Sequence, residues 1–109
     1  MDAREFYAQI DKADDELAEV SRSLMHIFRD AHHLNHIFEK LARDAEKIKD
    51  KEKSKKFMVI LSSLSAQLYK IGDQCYDIST GIDSVRECNL SELVIEAEEM
   101  ADGEKKPSN

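Results

Sequence analysis

From Phe6 onward, apolar residues recur at alternating steps of four and three: Phe6, Ile10, Ala13, Leu17, Val20, Leu24, Ile27, Ala31, Leu34, Phe38, Leu41, Ala45 and Ile48. This is the heptad pattern of a helix whose a and d positions form one seam against a partner helix, with Ala31 at an a position. Asp2 with Glu5 three residues later forms a capping box at its start, and Lys47, Lys49, Lys51 and Lys53 suit the negative end of the helix dipole, so the first helix is expected over about residues 2–50. A second series, Phe57, Leu61, Leu64, Leu68, Ile71, Cys75, Ile78, Ile82 and Val85, predicts another helix over about 54–88, with Ser54 as its cap.

Neither Gly nor Pro separates Ile48 from Phe57. A single continuous helix is nevertheless excluded by phase. Nine residues at about 100° each amount to a half-integral number of turns, which would put the two stripes on opposite sides. A turn near Asp50 to Ser54 brings them face to face as a long antiparallel hairpin. The heptad falters at Asn89 and Glu92, and a new set follows: Leu90, Leu93, Val94, Ala97, Met100 and Ala101. Residues 90–102 then form either a kinked continuation of the second helix or a separate short helix begun by an Asn89–Glu92 capping box. Gly103 is expected to end it, leaving 103–109 as a disordered, solvated tail.

The flanks of the predicted seam are not wholly polar. Phe28 falls at e, Ile37 at g, Ala42 at e and Ile60 at g, while Ser65, Gly72 and Ser79 make a row of small e residues. Phe28, Ile37, Ile60, Ser65, Gly72 and Ser79 are therefore the expected interface of a homodimer, in which two hairpins close a four-helix bundle. A three-helix monomer covered by residues 90–102 is the alternative. Composition agrees with an all-α, coiled-coil-like fold in one domain over 1–102. Three Gly and one Pro leave few turns, and Leu, Ile, Val and Phe make up 26 of 109 residues, enough for a chain that is 36% charged to fold.

Charge and chemistry narrow the function further. A net charge of −7 disfavours non-specific binding to nucleic acid or an anionic membrane. The longest uncharged stretch, Phe57 to Tyr69, is too short to cross a bilayer, and the acidic opening lacks the features of a secretory signal, so a cytoplasmic protein is expected. Cys75 and Cys88 match no zinc or redox spacing and read as reduced thiols.

All four histidines, His26, His32, His33 and His36, are placed by the pattern on the face away from the seam. His32, His36 and Glu39 have the spacing of two imidazoles and a carboxylate on one helix face, the weak candidates for a metal in a chain from which neither metal nor cofactor is expected. Arg22, Arg29, His36 and Arg43 share an f row, joined by His26, His33 and Lys40 at c. With the exposed pair Tyr69 and Tyr76, the residues Arg22, Arg29, His33, His36 and Arg43 are the candidate contacts for an acidic partner segment.

The run Ala31, His32, His33, Leu34, Asn35, His36 resembles the phospho-acceptor stretch of histidine-kinase dimerisation hairpins. The usual Arg or Lys and Asn spacing of that stretch is not reproduced, and no ATP-binding domain follows in this chain. The resemblance would imply phosphotransfer at His32 or His33. No nucleophile constellation or Gly-rich phosphate loop is present, so the sequence reads as non-enzymatic. The expected function is a protein–protein interaction module, acting as an adaptor, chaperone-like or regulatory subunit for an unidentified protein partner. Two alternatives are a phosphotransfer or metal-sensing bundle using His32, His33 and His36, and an acidic inhibitor mimicking nucleic acid, suggested by the Glu-rich segment 92–104.

Overall fold

The computed structural model describes residues 1–105 and is all-α: α1 (Ala3–Ala45), α2 (Lys51–Val85), a π-helical turn (Arg86–Leu90) and α3 (Ser91–Lys105). α1 and α2 form the antiparallel hairpin. The chain divides into two compact units, Leu24–Asp77 and, apart from it, Met1–Ser23 with Ile78–Asn109. In the first unit Asn35 meets Ser65 and Phe28 meets Gly72; in the second Ser21 meets Ser79 and Asp14 meets Arg86. The residue numbers of each pair sum to 100, which fixes the hairpin register.

Both helices are started by aspartates. The Asp2 carboxylate accepts from the Glu5 N–H at 2.8 Å, as the capping box requires. At the hairpin end α1 stops at Ala45, five residues short of expectation, and two i→i+3 bonds, from the N–H of Lys47 to Asp44 and of Ile48 to Ala45, tighten its last turn. α2 starts earlier than expected because Asp50, and not Ser54, is its cap: the Lys53 N–H donates to Asp50 Oδ1 at 3.1 Å. Ser54 lies inside α2, and its hydroxyl donates at 2.6 Å to the carbonyl of Ala45, a second bond to an acceptor that also takes the Ile48 N–H at the end of α1.

The seam differs from the expected one by one line of residues. The a line of each helix faces its partner as predicted, at Ile10, Leu17, Leu24, Ala31, Phe38 and Ala45 on α1 and Ser54, Leu61, Leu68, Cys75 and Ile82 on α2, all buried or half-buried. The second inward line is e, carrying Tyr7, Asp14, Ser21, Phe28, Asn35 and Ala42 on α1 and Met58, Ser65, Gly72, Ser79 and Arg86 on α2. The expected d line is exposed, including Leu34, Leu64 and Ile71. Size explains the rotation. A Cβ built on Gly72 would stand 3.5 Å from the Ala31 Cβ and 3.9 Å from the Phe28 carbonyl oxygen, an approach that larger side chains at e would prevent.

This correction reassigns four of the six expected dimer contacts. Ser65, Gly72 and Ser79 are buried within the chain, and Phe28 packs against Gly72 and Tyr76; only Ile37 and Ile60 remain open. The seam is also not purely apolar. Ser21 and Ser79 hydroxyls lie 2.7 Å apart, the Ser79 hydroxyl donates to the Ser21 carbonyl at 3.1 Å, and Ser21 Oγ lies 2.8 Å from Asp83 Oδ1. In the other unit the Ser65 hydroxyl donates to Asn35 Oδ1, while Asn35 Nδ2 is buried without a hydrogen-bond partner.

Past Arg86 the helix continues without a break. The residues flanking the π turn, Val85 and Ser91, both keep right-handed helical dihedrals, so residues 90–102 continue α2 and Asn89 does not cap a new helix. The helix runs through Gly103 to Lys105, and the rest of the expected tail, 106–109, lies outside the described residues.

Candidate interaction faces

Closing an a/e seam leaves two flanks, and the ring contacts show which lines share one. In the Leu24–Asp77 unit the His32 ring meets Tyr69 edge-on at 5.5 Å and Phe28 at 4.5 Å, and Phe28 meets Tyr76 at 5.2 Å. The b lines of both helices are thus on one side of the hairpin. The d lines are on the other.

The aromatic flank corrects the reading of His32. It is half-buried between Phe28 and Tyr69, whereas His26, His33 and His36 are exposed. His36 faces Glu39 at 3.9 Å, an exposed i,i+3 contact. Among the described residues no group of three His, Cys, Asp or Glu converges as a metal site, and His32, His36 and Glu39 are not brought together as one. Tyr69 and Tyr76 each keep over two-fifths of their surface open at the rim of the cluster. Arg29, His33, His36 and Arg43 are exposed in this unit; Arg22, in the other, is exposed 3.9 Å from Glu19.

The opposite flank is apolar. Ile27, Leu34, Ile37 and Leu41 on α1, with Phe57, Ile60, Leu64 and Ile71 on α2, are 38–47% exposed. In the unit containing both termini, Phe6, Val20, Ile78, Val85, Leu93 and Met100 are exposed likewise. Leu93 and Met100 are the d positions after the π turn. The fully buried apolar residues among those described are Ala3, Ile10, Ala31, Ala45, Ala97 and Ala101, so the hairpin buries its small side chains and leaves many large ones open.

Charge is also divided between the units. Leu24–Asp77 carries 10 Lys and Arg against 8 Asp and Glu, and the other unit 6 against 15, so the net charges are +2 and −9. Within the acidic unit Glu98, then burial, then Asp11 and Asp102 raise the Tyr7 phenol above its ordinary value. Arg86 and Asp14 form a two-point ion pair, Nε to Oδ1 at 2.7 Å and Nη2 to Oδ2 at 3.3 Å. The hydrogen bond from Arg86 is the main reason the Asp14 carboxyl sits below the usual range, with burial opposing it. The heptad pattern marks neither residue, because both occupy e positions outside an a/d seam.

A carboxyl held low in the folded state contributes stability that is present above its unfolded value, about 3.9, and is lost as pH falls through the folded value. Asp83 and Asp15 also act on Arg86. Asp14→Asn should therefore reduce, without abolishing, the fall in melting temperature between about pH 5 and pH 2.5, measured by circular dichroism. Parallel curves for the variant and the parent would show that the pair contributes nothing.

No helix among the described residues is long and apolar enough to cross a membrane. Comparison with protein-family models, with curated proteins and with solved structures gives no match.

Proposed function

We propose that this chain is a non-enzymatic protein–protein interaction module, an adaptor, chaperone-like or regulatory subunit, that works by presenting an apolar helix face to another polypeptide. One observation carries the reading: the row of large apolar side chains left open on the d side of the hairpin in the Leu24–Asp77 unit. Single exposed apolar residues are ordinary, but a contiguous row on adjoining helices is a surface that water disfavours and a partner covers. The aromatic flank and the exposed cations Arg29 and Arg43 offer a second, polar surface whose charge suits an acidic segment.

The test compares the full chain with a Leu34→Glu, Ile71→Glu variant whose helicity is first verified by circular dichroism. A polypeptide, whether another protein or a second copy, should be held by the parent in native affinity capture or sedimentation, and should be lost from the variant. Indistinguishable behaviour of the two proteins in both measurements would overturn the proposal.

A further inference from the structure

We infer that the occupant of this face in the Leu24–Asp77 unit is a second copy of the chain, seated with α1 of each copy on α2 of the other. The inference rests on the interaction-module reading and names its partner. Within this unit three adjoining lines, a, d and e, carry apolar or short side chains on each helix, and a helix in a four-helix bundle uses that many because it has two neighbours. The hairpin takes e and part of a. The d line is what remains for the second neighbour, and eight side chains exposed at 38–47% present on the order of several hundred Å² per copy, the scale on which a standard interface operates.

The edges of the face select the partner and its orientation. Next to the d line, the g positions on α1 are Asp30, Ile37 and Asp44; on α2 they are Lys53, Ile60, Gln67 and Gln74. One edge carries two aspartates and the other a single lysine with two neutral glutamines, each with an isoleucine. Such a face is complementary to itself after a half-turn about an axis parallel to the helices. The hairpin register puts residue 44 level with 56 and residue 37 level with 63. Asp44 then stands within about 4.5 Å in height of Lys53 of the second copy, and Ile37 of Ile60 of the second copy. Ile27, Leu34 and Leu41 come within about 3 Å in height of Ile71, Leu64 and Phe57 of the second copy. The other two-fold arrangement, α1 on α1, sets the edge of Asp30 and Asp44 against itself, Asp30 meeting Asp44 when the axis crosses at Ile37, and is opposed by like charge.

Sedimentation equilibrium of the full chain over about 1–100 µM should give twice the chain mass with micromolar or tighter affinity, weakened at least 100-fold by Leu34→Glu with Ile71→Glu. In a Cys75→Ser, Cys88→Ser background, Ile37→Cys together with Ile60→Cys should close a disulfide between copies under mild oxidation, while Ile37→Cys alone should not. A monomer throughout that range, or efficient cross-linking through Ile37→Cys alone, overturns the inference. If the parent is a monomer yet holds another protein that the Leu34→Glu, Ile71→Glu variant releases, self-association fails and the interaction reading survives. If it holds nothing, both fail.

Discussion

Gly72→Leu is expected to destabilise the hairpin by about 3 kcal/mol, because overpacking a closed seam forces side chains off their rotamers and helices apart. Gly72→Ala should do the opposite and stabilise by up to about 1 kcal/mol, the helix-propensity difference between the two residues. The added methyl would make ordinary contacts, 3.5 Å to the Ala31 Cβ and 3.7 Å to Phe28 Cδ2, whereas three further carbons have only Phe28 and the α1 backbone to displace. Gly81 calibrates the comparison: nothing stands within 4 Å of a Cβ there, so both Ala and Leu should be accepted. Urea unfolding followed by circular dichroism at one protein concentration reads all four changes. If the seam ran along a and d, Gly72 would be a flank position and Leu would be tolerated. A stable Gly72→Leu protein would thus refute the observed packing.

The same contrast shows what the sequence could and could not reveal. Two unbroken apolar series separated by a half-integral number of turns were sufficient for the hairpin, since no other path lets both stripes leave water. Which two of three adjoining lines meet is a separate question, and periodicity weights Leu34 and Ala31 alike. Size decides it. Ser65, Gly72 and Ser79 stood out as a row permitting close approach, and they serve that purpose, but the helix they admit is α1 of their own chain. The apolar pattern gives Ser21 and Asn35 no place, yet both are buried, because short polar side chains can enter a close contact where a partner bonds them, Ser79 for Ser21 and Ser65 for Asn35. Once e is the seam, Asp14 and Arg86 become facing residues of opposite charge, so the ion pair was legible only after the rotation. The histidine face suffers from the same shift: turning the helix toward e draws His32 at b into the aromatic cluster and leaves His33 and His36 outside. The heptad series carries the first helix through Ile48 to about residue 50, which leaves Asp50 no place as the cap it forms for α2.

Deleting Asn89 should leave the fold intact, with a melting temperature equal to or above that of the parent, whereas deleting Gln67 should abolish cooperative unfolding. Both residues are exposed in the interior of a continuous helix, so exposure does not distinguish them. Phase does. Inward residues on α2 follow the alternation of threes and fours through Ser79, Ile82 and Arg86, then step by four to Leu90 where three is due, and resume at Val94, Ala97 and Ala101. The surplus residue is held by the π turn Arg86–Leu90, which is how a helix absorbs a one-residue insertion without turning its later face away. Removing Asn89 restores the alternation, so Leu90, Val94, Ala97 and Ala101 keep their inward direction on an uninterrupted α-helix with better hydrogen-bond geometry. Gln67 has no such fault beside it. Its removal turns all residues on one side by about 100°, so Ser65 and Gly72 can no longer both face α1. That loss costs about 5 kcal/mol or more, comparable with the whole stability of a chain this size. Thermal melts of the two deletions separate the cases. Equal damage from both would mean that the residue held in the π turn is not surplus, and that the turn holds the acidic unit together in a way the phase of its seam does not account for.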